Sequence, residues 1–440
     1  MSEMLDAAHS AMGLAQSCGA DEVALSMSRS RGVDLEWRDG AIERVQEQTR
    51  QSLSAEIYVN GRYSASSTSD LRPDALRSFF DDAIEMTKLL EPDPHRSLPD
   101  PSRYAGRASL DLDLADPSHG DRDGAKRRES CETLEAMLRD GADDLPIVSV
   151  ATTVSDNIGH SARVHSNGFE GARTGTSFSA SAMVTVLDDD GRRPMGWEYS
   201  YRRFLEDLDP LEWISRRARD KARCQLGATQ VKTGKYTIVL ENRAVPRLLG
   251  ALLGPISGPA LQQRRSLWEG RLGDQITSPL LTIYDEPHRV RGLGSSLWDG
   301  DGFATDRRPI IENGVLSTYL IDQYYARKMG IEPSGGDTHN LAWSTGTQSL
   351  DGLVADVEHG VFIDRFLGGN SNSTTGEISL GCAGRMIRDG QLAEPIAEAN
   401  LSGHFGQIWE QLIAIGNDPN PNSSTGAPSC TFDNVQLSGS

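Results

Sequence analysis

Three turn dipeptides constrain this chain more than any other feature. Asn60-Gly61 closes the strand-like run 52–59, Asn313-Gly314 sits inside IIENGVLSTYLID, and Asp389-Gly390 sits inside RMIRDGQLAEPI. Asn or Asp followed by Gly between apolar runs favours a two-residue turn with φ > 0 at both central positions, and that turn joins antiparallel strands. Antiparallel sheet is therefore expected near both ends of the chain. Residues 4–18 carry Met4, Leu5, Ala8, Met12, Leu14 and Ala15 at helical spacing, and Gly19 ends that helix. Two further strand-like runs span 22–29 and 32–38. Asp70 reads as the N-cap of a helix over 73–90 whose apolar face is Leu76, Phe79, Phe80, Ala83 and Met86.

Residues 91–122 hold Pro92, Pro94, Pro99, Pro101 and Pro117 among Asp and Ser, the composition of a surface connector. Helices are expected over about 122–141, 210–226, 242–253, 349–359 and 405–415. Short β segments fill 147–201, a strand spans 233–241, and the tail is a final strand. This pattern is α+β, a helix-bearing N-terminal α/β domain (1–232) followed by a β-rich C-terminal domain (233–440).

Composition excludes several classes. A formal net charge of -19 repels nucleic acid and anionic lipid. No run approaches the ~20 apolar residues of a spanning helix, and the start of the chain is acidic, so a cytoplasmic protein is expected. The five cysteines (Cys18, Cys131, Cys224, Cys382, Cys430) are odd in number and form no CxxC pair. That argues for a reducing compartment and against a cysteine zinc site. None of the nine histidines lies four residues from another. Asp285, Glu286, Asp299 and Asp301 cluster around GLGSSLWDGDG, where a hard cation could bind, but turn chemistry also explains the Asp-Gly pairs. His288, His339 and His404 stand alone in loops. GGNSNSTTGE lacks the GK[ST] ending of a phosphate loop, and no GxSxG or SxxK motif is present.

The segments GGNSNSTTGEISLGCAGRMIRDGQLAEPI (368–396), IAIGNDPNP (413–421), STSDL (67–71) and YLIDQYYARKMG (319–330) resemble, in that set, the TldD/TldE (PmbA) family. The resemblance runs from GADEVALSMS (19–28) to the last strand. In the TldD branch a strand leads into a helix bearing HExxxH, and a C-terminal Cys completes a zinc site in which the Glu is general base. The matching stretch here is YTIVL followed by Glu241 to Arg247. It puts Asn242 at the first His, Arg243 at the Glu and Arg247 at the second His. Asn is a poor zinc ligand, and an arginine has no lone pair to give. Pro246 confines the helix start to this point. Cys430, after Ala427-Pro428-Ser429, looks like a buried residue of a TldE-type terminal strand, and Cys382 like a small buried thiol.

The resemblance thus implies a non-catalytic TldE-type subunit with no metal or cofactor of its own. Zinc is expected on a TldD-type partner, and the pair would enclose unfolded or modified peptides for proteolysis. Strand edges would hold an extended peptide through main-chain hydrogen bonds. Within 368–379, expected to be a loop following a helix, Asn370, Asn372, Thr375 and Glu377 are the candidates for touching substrate or partner. The other class left open is a metal-independent hydrolase or stand-alone binding protein acting on a small amide-like metabolite.

Overall fold

The computed structural model describes residues 2–439. Helix α1 (Ser2–Ser17) leads into β1 (Glu22–Arg38), β2 (Ala41–Val59) and β3 (Arg62–Thr68). Asn60 (φ 49°) and Gly61 (φ 71°) turn β2 into β3. A further pair, Asp39 (φ 46°) and Gly40 (φ 85°), turns β1 into β2, so the runs 22–29 and 32–38 are one strand. After α2 (Pro73–Lys88) come α3 (Gly124–Arg139), β4 (Ile147–His165), β5 (Glu170–Val186), β6 (Met195–Arg202) and α4 (Leu211–Arg223). The expected short segments of 147–201 are three strands, the first of them 19 residues long. The six strands form an antiparallel sheet in the order β3-β2-β1-β4-β5-β6.

Alternation decides which face is covered. Val23, Leu25 and Met27 pack with α1 and α2, while Leu35, Trp37, Val150 and Val184 pack with α3 and α4. All four helices lie on that face. The other face presents half-exposed Ser26, Asp34, Thr153, Ser155 and Ser179, as expected for a sheet wetted on one side.

Two local expectations fail. The N-cap of α2 is Arg72, without a side-chain cap. Pro73 at N1 needs no N–H partner and arrives with helical φ, and the Asp70 carboxylate instead accepts from the Arg72 main-chain N at 3.2 Å. On that helix Met86 is 66% exposed, and Ile84 takes the buried place. Nor is 91–122 a plain surface connector. Leu98, Leu112, Asp116 and His119 are buried, and Arg127 of α3 grips buried Asp156 at 2.6 and 2.9 Å with His119 beside them at 3.3 Å. The segment is strapped to the fold.

The second half begins with β7 (Gly234–Leu240), α5 (Val245–Leu253) and α6 (Gly258–Gln262). Strands β8 (Ile283–Asp285), β9 (Arg308–Glu312) and β10 (Val315–Leu316), helix α7 (Gln323–Met329), strand β11 (Leu341–Trp343) and helix α8 (Leu350–Ala355) follow. Then come β12 (His359–Ser371), β13 (Glu377–Arg388), β14 (Gln391–His404), α9 (Phe405–Glu410), β15 (Leu412–Ile415) and β16 (Cys430–Gly439). Strand β7 pairs with β12 in parallel and with β16 antiparallel, and β16 also reaches β14. The order β14-β13-β12-β7-β16 therefore closes on itself as a small barrel. Ile238, Leu240, Ile363, Leu401 and Phe432 share one core with buried Trp409, whose ring meets that of Phe432 edge-on. Strands β8 to β11 make a separate four-stranded sheet. The helix expected over 405–415 stops at Glu410, because Leu412–Ile415 pairs with β16. The expected loop 368–379 is not a loop after a helix. It is the tip of the β12–β13 hairpin, with only 372–376 outside the strands. No helix among the described residues is long and apolar enough to cross a membrane.

Candidate functional site

The corner between β7 and α5 holds the three motif positions. After β7 the chain turns over Glu241, whose carbonyl accepts from the Ala244 and Val245 amides at 2.7 and 3.2 Å, and Pro246 sits in the first turn of α5. The Asn242 side-chain amide donates to the Asp418 carbonyl at 2.8 Å. Its main-chain N donates to Ser429 Oγ at 3.0 Å, and that hydroxyl donates to Asp418 Oδ2 at 2.7 Å. Asn242 therefore fastens the 413–421 segment and the start of β16 to the corner. Next to Ser429, Cys430 is wholly buried opposite Leu240, and burial pushes its thiol pKa far up. Cys382 is also buried, its pKa raised to about 12.

Arg243 leaves the corner in the other direction. It pairs with Glu198 of β6 at 2.7 Å, donates to the Tyr199 carbonyl at 3.0 Å and lies 4.4 Å over the Tyr199 ring. Glu198 is fully buried, and Lys221 of α4 reaches it at 3.2 Å. Arg217, also on α4, pairs with Glu241. Two buried carboxylates from different halves of the chain are thus held by three cations. Buried charge is tolerable only with such pairing. Arg247 is exposed, and its one side-chain hydrogen bond among the described residues runs to the Gly369 carbonyl of β12 at 2.6 Å. Between β6 and β12 a pocket of about 500 Å³ opens, lined among others by Trp197, Tyr199, Arg243, Arg247, Asp364 and Leu367. Burial raises the Asp364 pKa, against the opposing pull of Arg365 at 2.7 Å.

The hairpin candidates lie alongside. Asn370, Asn372, Thr375 and Glu377 line one cleft of about 1260 Å³ together with α6 and His404. Asn372 Oδ1 accepts from the Thr374 and Thr375 amides at 2.9 and 3.2 Å, and Thr375 Oγ1 donates to Glu377 Oε2 at 3.2 Å. The structure therefore brings all four together, and much of the polar capacity of Asn372 and Thr375 serves the hairpin itself. The Arg247–Gly369 bond joins this cleft to the motif corner.

The acidic cluster does not converge. Asp285 is held by the His339 ring at 3.0 Å and by Arg308 at 3.3 Å, and Glu286 by Arg289 and Arg307. Asp299 accepts from the Asp301 and Phe303 amides, and Asp301 from the Gln323 amide at 2.9 Å. Burial raises the Asp301 pKa to about 7. His288 contacts Thr305, and His404 caps α9. Among the described residues no group of three or more His, Cys, Asp or Glu is placed to hold a metal. At the corner itself an amide turned to Asp418, two guanidinium groups and a buried protonated thiol do not fit a zinc ion. Glu198, Arg217, Lys221 and Asp364 are the site residues that the motif did not announce. Only tertiary packing gathers them.

Sequence models of the PmbA/TldA metallopeptidase match the chain as domain 1 over 23–87, central domain over 120–226 and C-terminal domain over 233–439. Metalloprotease PmbA of Escherichia coli O157:H7 is 26% identical over 422 residues, 96% of this chain and 93% of its own. A crystal structure from Bacteroides thetaiotaomicron, described as a candidate modulator of DNA gyrase, superposes with a TM-score of 0.94 at 36% identity, covering 99% of this chain and 98% of that one. TldE from Thermococcus kodakarensis shares the fold, with a TM-score of 0.85 at 20% identity over 98% of this chain and 100% of its own.

Proposed function

Because the chain belongs to the PmbA/TldA (TldD/TldE) metallopeptidase family, we propose that it is the metal-free, non-catalytic subunit of a two-chain peptidase. In this reading a TldD-type chain carries zinc and cleaves, and this chain forms part of the enclosure that holds unfolded or modified peptides. One observation carries the proposal. Where the family resemblance calls for two ligands and a base stand an amide bonded to Asp418 (Asn242), a guanidinium paired with Glu198 (Arg243) and a second guanidinium bonded to the Gly369 carbonyl (Arg247). The two guanidinium groups have no lone pair for a metal or a water proton, and the neutral Asn242 amide is a poor zinc ligand and no base. The half-exposed Ser- and Thr-bearing face of the long sheet and the hairpin cleft supply walls of small polar groups, suited to main-chain contacts that need little sequence specificity.

The test is reconstitution. The purified chain should hold no stoichiometric zinc and cleave no unfolded peptide. Mixed with a TldD-type chain from the same source, it should co-elute as a complex and support chelator-sensitive cleavage. Stoichiometric tight zinc on the single chain, or chelator-insensitive hydrolysis by it, would overturn the reading.

A further inference from the structure

The pocket between β6 and β12 has chemistry that the enclosing role does not require. In a chain of net charge -19, its lining carries Lys221, Arg243, Arg247 and Arg365 against a single acid, Asp364. Most of these cations are spent. Lys221 serves Glu198 at 3.2 Å, and Arg365 serves Asp364 and Gln225 at 2.7 and 2.8 Å. Arg243 serves Glu198 and the Tyr199 carbonyl, although its Nη1 is buried without a partner. Arg247 is different. It is exposed, makes one bond to a main-chain carbonyl and has no carboxylate partner among the described residues. Its remaining donors form the planar fork that matches a carboxylate.

Beside that fork stands an apolar surface left in water. Met195 is 55%, Trp197 51% and Leu367 50% exposed. The Trp197 and Tyr199 rings stack with centroids 4.7 Å apart. Trp197 and Tyr199 alternate on one face of β6, while Gly196 and Glu198 turn inward to α4. An added strand cannot simply extend the sheet here. Along the free edge of β6, Gln225 occupies the Met195 carbonyl, Arg243 the Tyr199 carbonyl and Asn422 the Tyr201 amide. What the site offers is side-chain recognition, an aromatic platform next to an unspent guanidinium in a volume of ligand size.

We infer that this pocket binds a peptide segment through a carboxylate on Arg247 and an apolar or aromatic side chain on Trp197 and Tyr199. The inference rests on the peptide-holding role above and names the class of peptide favoured. The carboxylate has two possible sources, a peptide C-terminus or an acidic side chain.

Calorimetric titration of the full-length chain separates them. Three acetylated peptides serve as probes: alanines ending in phenylalanine with a free carboxylate, the same peptide as its amide, and the amide with one internal alanine replaced by glutamate. The first should bind, and the second about tenfold or more weaker, as expected for loss of charge-assisted hydrogen bonds. If the third matches the first, side-chain carboxylates are accepted. If it matches the second, the site reads the C-terminus. Arg247→Ala should weaken the first peptide by a similar factor with an unchanged melting temperature, and Trp197→Ala should weaken it too. Equal binding of the first two peptides, or an Arg247→Ala affinity equal to that of the parent, overturns the inference. If no probe binds while the reconstituted pair still cleaves, the pocket assignment falls and the pairing stands. Arg247-dependent binding without cleavage by the pair leaves the pocket and removes the pairing.

Discussion

The motif corner and the hairpin cleft touch through the Arg247–Gly369 bond and are built on opposite principles. The corner is held by buried charge from β6, α4 and the β7–α5 turn, with Glu198 and Glu241 almost wholly out of water. The cleft is held by short-range bonds within its own turn, and its four candidates are exposed. The difference teaches where each can tolerate change. A buried ion network stands or falls as a unit, because removing one partner strands the others. A surface turn loses only its local bonds. The largest expected effect follows directly. Glu198→Ala leaves Arg243 and Lys221 short of their carboxylate and should cost about 3–5 kcal/mol, read from urea unfolding. A cost no larger than that of a cleft substitution would erase the contrast.

Backbone can make the cleft behave like the corner at one position. Gly376 has φ +78°, and a Cβ there would lie 2.2 Å from the His404 ring. Gly376→Ala should therefore cost about 1–3 kcal/mol through strain and the displaced ring. Thermal melting checks this. An unchanged midpoint would mean that the hairpin tip is free of α9.

These two regions were unequally legible in the sequence. The hairpins came through because Asn-Gly and Asp-Gly specify their turns chemically, wherever the chain later packs. Asp39-Gly40 carries the same signal, but the first half of β2 is Ala41 to Gln51, polar and exposed along most of its length, so apolar alternation does not mark it as a strand. Asn242, Arg243 and Arg247 could be placed by motif, yet their partners could not. Glu198, Asp418 and Gly369 lie 45 to 176 residues away along the chain, and no local pattern couples them. The α2 start at Pro73 is as expected, but its N-cap is Arg72 and not Asp70. Asp70 has cap chemistry, but Pro73 fixes the first turn three residues later. The helix expected through 415 failed because β16 offered Leu412–Ile415 a strand partner that propensity cannot foresee.

Titration sharpens the comparison further. Burial raises the Asp364 pKa above its unfolded value, with Arg365 opposing. Between the unfolded and the folded pKa the native state binds more protons, so this group's contribution to stability falls as pH rises through that window. Asp364→Asn removes the titration. Its stability relative to the parent should be near level below the unfolded carboxylate range, around pH 4, and should rise with pH above it. Urea midpoints at a series of pH values measure this. A variant that loses ground as pH rises would show that the charged pair with Arg365 is net stabilising, and the corner would then be better compensated than its burial implies.

The smallest effects belong to the cleft itself, and they decide whether it serves substrate or only shape. Asn372 spends its side-chain oxygen on two amides of the turn, so Asn372→Ala should lower stability by about 0.5–1 kcal/mol, the scale of a lost local cap. Thr375 makes one exposed side-chain bond, to Glu377, and also receives a long contact from the Glu377 amide at 3.4 Å. Thr375→Ala should change stability by less than about 0.5 kcal/mol, as exposed substitutions usually do. Thr375 is thus the cleaner probe, because a loss of function there cannot be blamed on the fold. In the reconstituted pair Thr375→Ala should reduce peptide turnover several-fold while the melting temperature and co-elution stay as they were. If turnover is also untouched, the hydroxyl faces away from the peptide path, and the enclosure is lined by the β6–β12 pocket rather than by the hairpin tip. If instead Thr375→Ala melts early, the turn is tighter than its exposure suggests, and the contrast between a charge-locked corner and a locally held cleft no longer stands.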